Sequence, residues 1–598
     1  MFQCILYMII YDETTLNLNK KGVLKMLNII PNVKIMEIKN GFMTKTAIYY
    51  NDLNCDERVL AALKMLPYNK LGAKLDICIN ENDGEGYELY INENDILINA
   101  DGPAGAFYAI QTLRQIFTHK DIPCLYIKDE PDFKYRGFYH DVTRGKIPTV
   151  DTLKKLIDLM AYYKLNSLQI YVEHVFEFKE CEELIKSTGY LTADEIKELD
   201  AYCKANFIEF IPSLSTFGHM FEILEQEQYK HLRVLCDYQK DCNFWLDRMN
   251  HHTINPLSSE SIELVKSLID QYSPLFESDV FNICCDETFD LKNFAKGGQG
   301  ESEIYISFVK KIIEHVISKG KRPMMWADAK LWTDIFANHP ELIDLLPEDT
   351  LFLNWGYLPN PSEENIIKFS KLNKMFIVCP GTTSWFRFCE NVDVEEQNIS
   401  LMADYGYKHG AIGVLNTNWG DWANPCSIEL AMYGMVLGAA KSWTTNTAIN
   451  EEFYGNVNHL LYGNSHGMEY LIKLSRLQDK LLWKALAENY FIVRFNRQGD
   501  LNTLTDEEVR IIQKEYKELT DMLSDESFID SEFKDEMLIA AEGCAVMAEL
   551  VAKMSKCDFE RITDTKQWLG KYRDKWLKKN KLSELEKIEE VFLYCEAL

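Results

Sequence analysis

Asp286 and Glu287 stand side by side at the end of VFNICCDETFD (280–290), where an apolar run passes through two cysteines into two carboxylates. Adjacent acids at the end of a buried strand suit general acid–base work, with one carboxyl kept protonated by burial and by its neighbour's charge. On a regular strand the two side chains would face opposite sides, because the pleat alternates with period two. For both to reach one cleft, the strand has to end or bend at this dipeptide.

Groups of similar character recur after other apolar runs: Asp141 and Arg144, Glu173 and His174, Ser215 and His219, Trp326 and Asp328, Trp355 and Tyr357, Trp385, then Trp419 and Asp421. Indole faces stack on the C–H faces of a sugar ring, and charged groups of fixed direction bind its hydroxyls. Each position alone has a plainer reading: a tryptophan as a loop anchor, a histidine in a structural hydrogen bond, an acid paired with Arg144. Repetition on one strand end after another points instead to a carbohydrate site.

The elements that would position these groups read as short apolar runs alternating with helical stretches. The candidate strands are 135–142, 165–174, 207–215, 280–287, 322–328, 350–357, 374–382 and 410–419. Helical segments such as VDTLKKLIDLMAYYK, SSESIELVKSLIDQYS and SEIYISFVKKIIEHVISKG separate them. Eight such repeats predict an α/β fold, a (β/α)8 TIM barrel over 131–445, whose catalytic groups sit at the C-terminal strand ends. Before it, AKLDICIN, YELYINENDILINA and the helix PAGAFYAIQTLRQIF predict a small α+β domain over 1–130, with Glu130-Pro131 as the linker. After it, 446–598 carries Leu, Lys, Glu and Met at helical spacing, which predicts a helical domain. Its apolar stripes form an internal core or, alternatively, a homodimer interface.

A chain of 598 residues exceeds what one hydrophobic core supports, in keeping with several domains. A formal net charge of −28 excludes nucleic acid and anionic membrane surfaces as partners. Sixteen cysteines without CxxC spacing give neither a zinc site nor a disulfide framework and fit reduced thiols in a cytosol. The start, MFQCILYMIIYDETT, lacks a basic n-region and a cleavage site, so a cytoplasmic protein is expected, with Met26 as an alternative start.

VFNICCDETF resembles the HxGGDE signature of family 20 glycoside hydrolases, the β-N-acetylhexosaminidases. Supporting segments stand in the same order. YRGFYHDVTRGKIPTVDTLKKLIDLMAYYKLNSL resembles the family's first strand and helix, with Arg144 at its substrate-binding arginine. FIPSLSTFGHM carries the Gly-His pair at Gly218 and His219, KRPMMWAD supplies Trp326, and NWGDW places Trp419 and Asp421 where the family has Trp-x-Glu. DETFDLKNFAKGGQG is similar to a branch of cytoplasmic bacterial N-acetylglucosaminidases, and GAFYAIQTLRQIF resembles part of the family's accessory domain.

The resemblance implies substrate-assisted retention, in which the substrate's 2-acetamido oxygen attacks the anomeric carbon to give an oxazolinium intermediate. Asp286 would orient the acetamido N–H, and Glu287 would act as general acid and then as base. Arg144 and Asp421 would hold ring hydroxyls, and Trp419, Trp326, Trp355 and Trp385 would enclose the sugar. No metal or organic cofactor is required, and the partner is an oligosaccharide or glycoconjugate ending in β-N-acetylhexosamine. The sequence departs from the pattern at three places. Asn282, Cys284 and Cys285 replace the signature's His and two glycines. Glu173-His174 stands in place of an Asp-Asp pair that would partner His219. GTTSWFRF replaces a Tyr-x-Asp, leaving Tyr357 as candidate donor to the acetamide carbonyl. Two other functions stay open at this point: a barrel glycosidase acting on sugars without the acetamido group, and a catalytically silent sugar-binding protein.

Overall fold

The computed structural model describes residues 27–598 apart from 52, 81, 187–188, 236–247, 250, 292–299, 328–334 and 526–530. The leading segment through Met26, Asp328, and positions 292–299 of DETFDLKNFAKGGQG therefore lie outside the described residues.

The first unit is a six-stranded mixed sheet of β1 (Ile35–Phe42), β2 (Ile48–Tyr49), β3 (Ala73–Ile79), β4 (Tyr87–Ile91), β5 (Asp95–Ala100) and β6 (Pro123–Asp129), in the order β1-β6-β4-β5-β3-β2. YELYINENDILINA is a hairpin rather than one strand, since β4 and β5 pair antiparallel. The helix Pro103–Ile116 is buried almost throughout, against the sheet on one side and the barrel on the other. The docking contacts carry buried charge. Arg136 at the start of β7 forms two hydrogen bonds to Glu85, of 2.7 and 2.9 Å, while Lys164 meets Asp129 at 3.0 Å. Both contacts lie at the N-terminal end of the barrel strands, so this unit supports the end opposite the expected site.

The barrel closes with all eight expected strands: β7 (Tyr135–Asp141), β8 (Ser167–Val172), β9 (Glu209–Leu214), β10 (Val280–Asn282), β11 (Arg322–Ala327), β12 (Leu351–Trp355), β13 (Phe376–Cys379) and β14 (Gly413–Asn418), β14 returning to pair with β7. All pairings are parallel, and the interior is packed with inward residues, among them Tyr139, Tyr171, Ile211, Met324, Leu353, Ile377 and Leu415. One correction concerns the acid-bearing strand. β10 ends at Asn282 rather than at Glu287, because the chain turns there as described below.

Helices fill the C-terminal region, at Gly467–Leu477, Trp483–Phe495, Asp506–Asp525, Ser531–Met554, Thr565–Lys579 and Leu585–Ala597. GMEYLIKLSRLQDKLLWKALAENYF forms two helices separated around Asp479–Leu481. Ser531–Met554 is the hub. Its residues from Met537 to Ala552 are buried almost without interruption, and it packs against the helices on either side of it in sequence. No helix among the described residues is long and apolar enough to cross a membrane.

Candidate active site

The turn after β10 decides where the acids point. Asn282 Oδ1 accepts the backbone N–H of Cys284 at 2.9 Å, which folds the chain back on itself as β10 ends. Cys284, Cys285 and Glu287 then take φ values of +56°, +67° and +53°, a left-handed conformation costing a non-glycine residue about 1–2 kcal/mol. Such strain persists only where surrounding contacts over-determine it. Here Ile283 O accepts Thr216 Oγ1–H at 2.6 Å and Cys284 O accepts Trp326 N–H at 3.1 Å. Cys285 O accepts the Tyr305 hydroxyl at 2.8 Å, and Glu287 O accepts His252 Nε2–H at 2.7 Å. The two thiols find room beside small polar groups. Cys284 Sγ lies 3.4 Å from Ser213 Oγ, and Cys285 Sγ lies 3.3 Å from Thr216 Oγ1. The left-handed turn breaks the alternation of the pleat, so that both acids reach one histidine.

That histidine is His219. Its Nε2 lies 3.3 Å from Asp286 Oδ2 and 3.2 Å from Glu287 Oε2, and its Nδ1 lies 3.9 Å from Glu173 Oε1. Gly218 makes the approach feasible, because a Cβ there would stand 2.3 Å from Asp286 O. Burial disfavours the imidazolium, but the two carboxylates outweigh it and raise the His219 pKa to about 10. The acids are thus not merely two like charges, since a cation sits between them. His252, whose ring centroid lies 4.7 Å from that of His219, is held neutral by burial and by the charge on His219.

A folded-state pKa raised above 6.5 gives a stabilising contribution that is full below 6.5 and is lost as pH rises toward about 10. The difference in melting temperature between the wild type and His219→Gln should therefore shrink between pH 6.5 and 10. An unchanged gap across that window would contradict a charged His219.

A second group centres on Arg144. Its Nε donates to Asp141 Oδ2 at 2.8 Å, its Nη1 lies 3.2 Å from Asp421 Oδ1, and Glu173 Oε1 is 3.9 Å from Nε. Burial opposes the guanidinium charge, but Asp141 and Asp421 hold it well above its usual value. Asp421, at φ +59°, is pushed up to about 6 by burial, against the pull of Arg144. The guanidinium also lies over Trp419, 4.9 Å from the ring centroid. Trp419 Nε1 donates to the Tyr357 hydroxyl at 2.8 Å, and Tyr357 stacks on Trp355 at 5.2 Å and meets Trp385 edge-on at 5.4 Å. Trp326 is 1% exposed and 5.7 Å from Trp419, so it is the floor of this aromatic group rather than an open wall.

Contacts therefore join Asp286, Glu287, His219, Arg144, Asp421, Trp326, Trp355, Tyr357, Trp385 and Trp419 at the C-terminal end of the barrel. His174 stands apart, buried among the charges of Glu222, Glu173, Arg248 and Glu584, and burial lowers its pKa. Glu173 takes the place at the site instead. It accepts the Tyr171 hydroxyl at 3.0 Å, pairs with Arg248, and is the carboxylate behind His219. Period-two alternation carries this signal, since Glu173 continues the inward face of Tyr171 on β8 and His174 does not. Asp141, likewise in phase with inward Tyr139, accepts backbone N–H groups from Thr143, Arg144 and Gly420.

Among the described residues, His219, Asp286 and Glu287 are also the group whose ligand atoms come within 4.8 Å of one another. The two carboxylates that raise the His219 pKa leave its Nε2 placed to offer a proton to either acid.

Comparison with known proteins agrees with this geometry. The model for "Glycosyl hydrolase family 20, catalytic domain" matches residues 133–445, and that for "Glycosyl hydrolase family 20, domain 2" matches 27–130. A beta-hexosaminidase of Porphyromonas gingivalis is 26% identical over 279 residues, covering 40% of this chain and 35% of that protein. Hexosaminidase D of Bos taurus is 26% identical over 195 residues, covering 31% of this chain and 53% of that protein. The matched stretches thus span about a third to a half of these curated relatives. Among solved structures, Flavobacterium johnsoniae chitobiase superposes with a TM-score of 0.59 at 17% identity, covering 89% of this chain and 90% of that one. The exo beta-N-acetylglucosaminidase of Vibrio harveyi gives 0.58 at 18% identity, covering 73% and 76%, and at these identities the likeness speaks for the fold alone. With its catalytic-domain model matched along more than half of its length, the chain belongs to glycosyl hydrolase family 20.

Proposed function

We propose that the protein is a retaining exo-β-N-acetylhexosaminidase that removes terminal β-linked N-acetylglucosamine or N-acetylgalactosamine through an oxazolinium intermediate. The observation that carries this reading is the convergence of Asp286 and Glu287 on His219 Nε2 at 3.3 and 3.2 Å, achieved despite the Cys284-Cys285 substitution. That convergence weighs against a silent binding protein whose acids have been displaced. The beta-hexosaminidase names of the relatives, and the N-acetylglucosaminidase and chitobiase names of the structural neighbours, point to the same sugar class.

In this mechanism Arg144 and Asp421 bind ring hydroxyls, while Trp419, Trp355 and Trp385 enclose the sugar above Trp326. The Tyr357 hydroxyl, which accepts Trp419 Nε1–H, donates its own proton to the acetamide carbonyl. The acetamido oxygen attacks the anomeric carbon as the glycosidic bond breaks, and Asp286 stabilises the N–H on which positive charge develops. Glu287 draws its proton across the 3.2 Å contact with His219 and delivers it to the leaving oxygen. It then removes a proton from the water that opens the oxazolinium, and the proton is conserved over the cycle. The substrate is an oligosaccharide or glycoconjugate in the cytoplasm, a compartment supported by the thirteen described cysteines, none of them in a disulfide and most of them buried.

The stereochemical course tests the reading. Product followed by proton NMR within the first minutes should be the β anomer, passing slowly to the α by mutarotation. First appearance of the α anomer would indicate direct attack by water and exclude the acetamido route.

A further inference from the structure

The two loops carrying the hydroxyl-binding pair, 142–149 with Arg144 and 419–426 with Asp421, are locked to each other and to a segment almost at the end of the chain. Gly420 N–H donates to Asp141 Oδ2 at 3.0 Å, and a Cβ on Gly420 would stand 2.3 Å from Arg144 O. Gly145, at φ +137°, leaves only 2.5 Å between a built Cβ and Asn424 N. Lys146 reaches across to Cys426 O at 2.7 Å. The link between the last two helices, 579–584, then runs along the first loop. Thr149 N–H donates to Lys579 O and Lys581 N–H to Ile147 O, each at 2.8 Å. Ile147 N–H donates to Ser583 Oγ at 2.8 Å.

Glu584 is the residue that touches both loops. Its backbone N–H donates to Gly145 O at 3.1 Å, one residue after Arg144. Its Oε2 accepts the N–H of Ala423 at 2.8 Å, two residues after Asp421. Its Oε1 pairs with Lys587 at 2.5 Å, which fixes the carboxylate on the last helix. Ala423 is wholly buried at φ +42°, and Asp421 at φ +59° is strained as well. A left-handed turn of this kind needs an external contact to hold it, and a buried N–H needs an acceptor. Glu584 supplies both.

We infer that Glu584 is a positioning residue for the sugar-binding pair, and that the C-terminal helical region completes the active site of its own chain by clamping the Arg144 and Asp421 loops. This inference rests on the proposed hexosaminidase reading. It assigns Glu584 no contact with substrate. Its carboxylate acts through the backbone of Ala423.

The test compares full-length wild type, Glu584→Ala and Glu584→Gln on a chromogenic β-N-acetylglucosaminide and on its 3-, 4- and 6-deoxy analogues. Glu584→Ala should raise KM about tenfold, with kcat changed less than about threefold, since the acids do not depend on this contact. It should also lose most of the wild type's discrimination against the deoxy analogue that the wild type rejects most strongly. Glu584→Gln keeps an oxygen for Ala423 N–H and should restore both values. An equal loss on every analogue, or an unchanged KM in a folded Glu584→Ala protein, would overturn the inference. Hydrogen exchange separates it from the functional reading. Even if the wild type cleaves none of these sugars, peptides spanning 142–149 and 419–426 should exchange faster in Glu584→Ala than in wild type or Glu584→Gln. Equal protection in all three proteins would reject the clamp.

Discussion

Glu287→Gln should lower kcat/KM for a substrate with a poor leaving group, such as a chitobiose-type disaccharide, by about 10³-fold, within the usual range of general acid catalysis. The amide keeps the size of the side chain and its contact with His219, but it can neither deliver a proton to the glycosidic oxygen nor remove one from water. A dinitrophenyl glycoside leaves without protonation, so its first step should be nearly spared and the intermediate should accumulate. Azide attacks without general base help and should then accelerate turnover of the dinitrophenyl substrate in the mutant. Equal losses for both leaving groups, with no azide effect, would remove Glu287 from the acid–base role.

Asp286→Asn is expected to show the complementary pattern. Loss of its charge withdraws stabilisation from the acetamido N–H just as that group becomes positive, which should cost about 10²–10³ in kcat whatever the leaving group. The asparagine also removes one of the two carboxylates holding the imidazolium, so the His219 pKa should fall from its value of about 10. The activity loss should be seen in pre-steady-state bursts with good and poor leaving groups alike. Retention of full activity would reject the assignment of Asp286 to the acetamido group.

The eight barrel strands and the rim of acids and aromatics were legible because short apolar runs ending in functional groups repeat at regular intervals. Both arms of the hairpin in YELYINENDILINA are apolar and the Asn92–Asn94 turn carries no glycine or proline, so the sequence does not mark where β4 ends and β5 begins. The acid-bearing strand, expected over 280–287, is five residues shorter for a related reason. VFNICC looks apolar throughout, and cysteine does not by type favour the left-handed conformation of Cys284 and Cys285, which Thr216, Trp326 and Tyr305 impose from three other segments. Residue type alone does not separate Glu173 from His174, whereas the phase of the pleat set by Tyr171 favours Glu173. The clamp through Glu584 lies beyond sequence reasoning, because its carboxylate meets a residue more than 150 positions away through a backbone N–H that almost any residue there would carry.

Whether the substrate's own acetamido group is the nucleophile is read from wild-type hydrolysis of matched chromogenic β-N-acetylglucosaminide, β-N-acetylgalactosaminide and plain β-glucoside. At least one acetamido sugar should be cleaved rapidly, and the glucoside, which lacks the nucleophile, at a rate at least about 10³-fold lower. Comparable rates on the glucoside and the acetamido sugars would contradict an acetamido nucleophile.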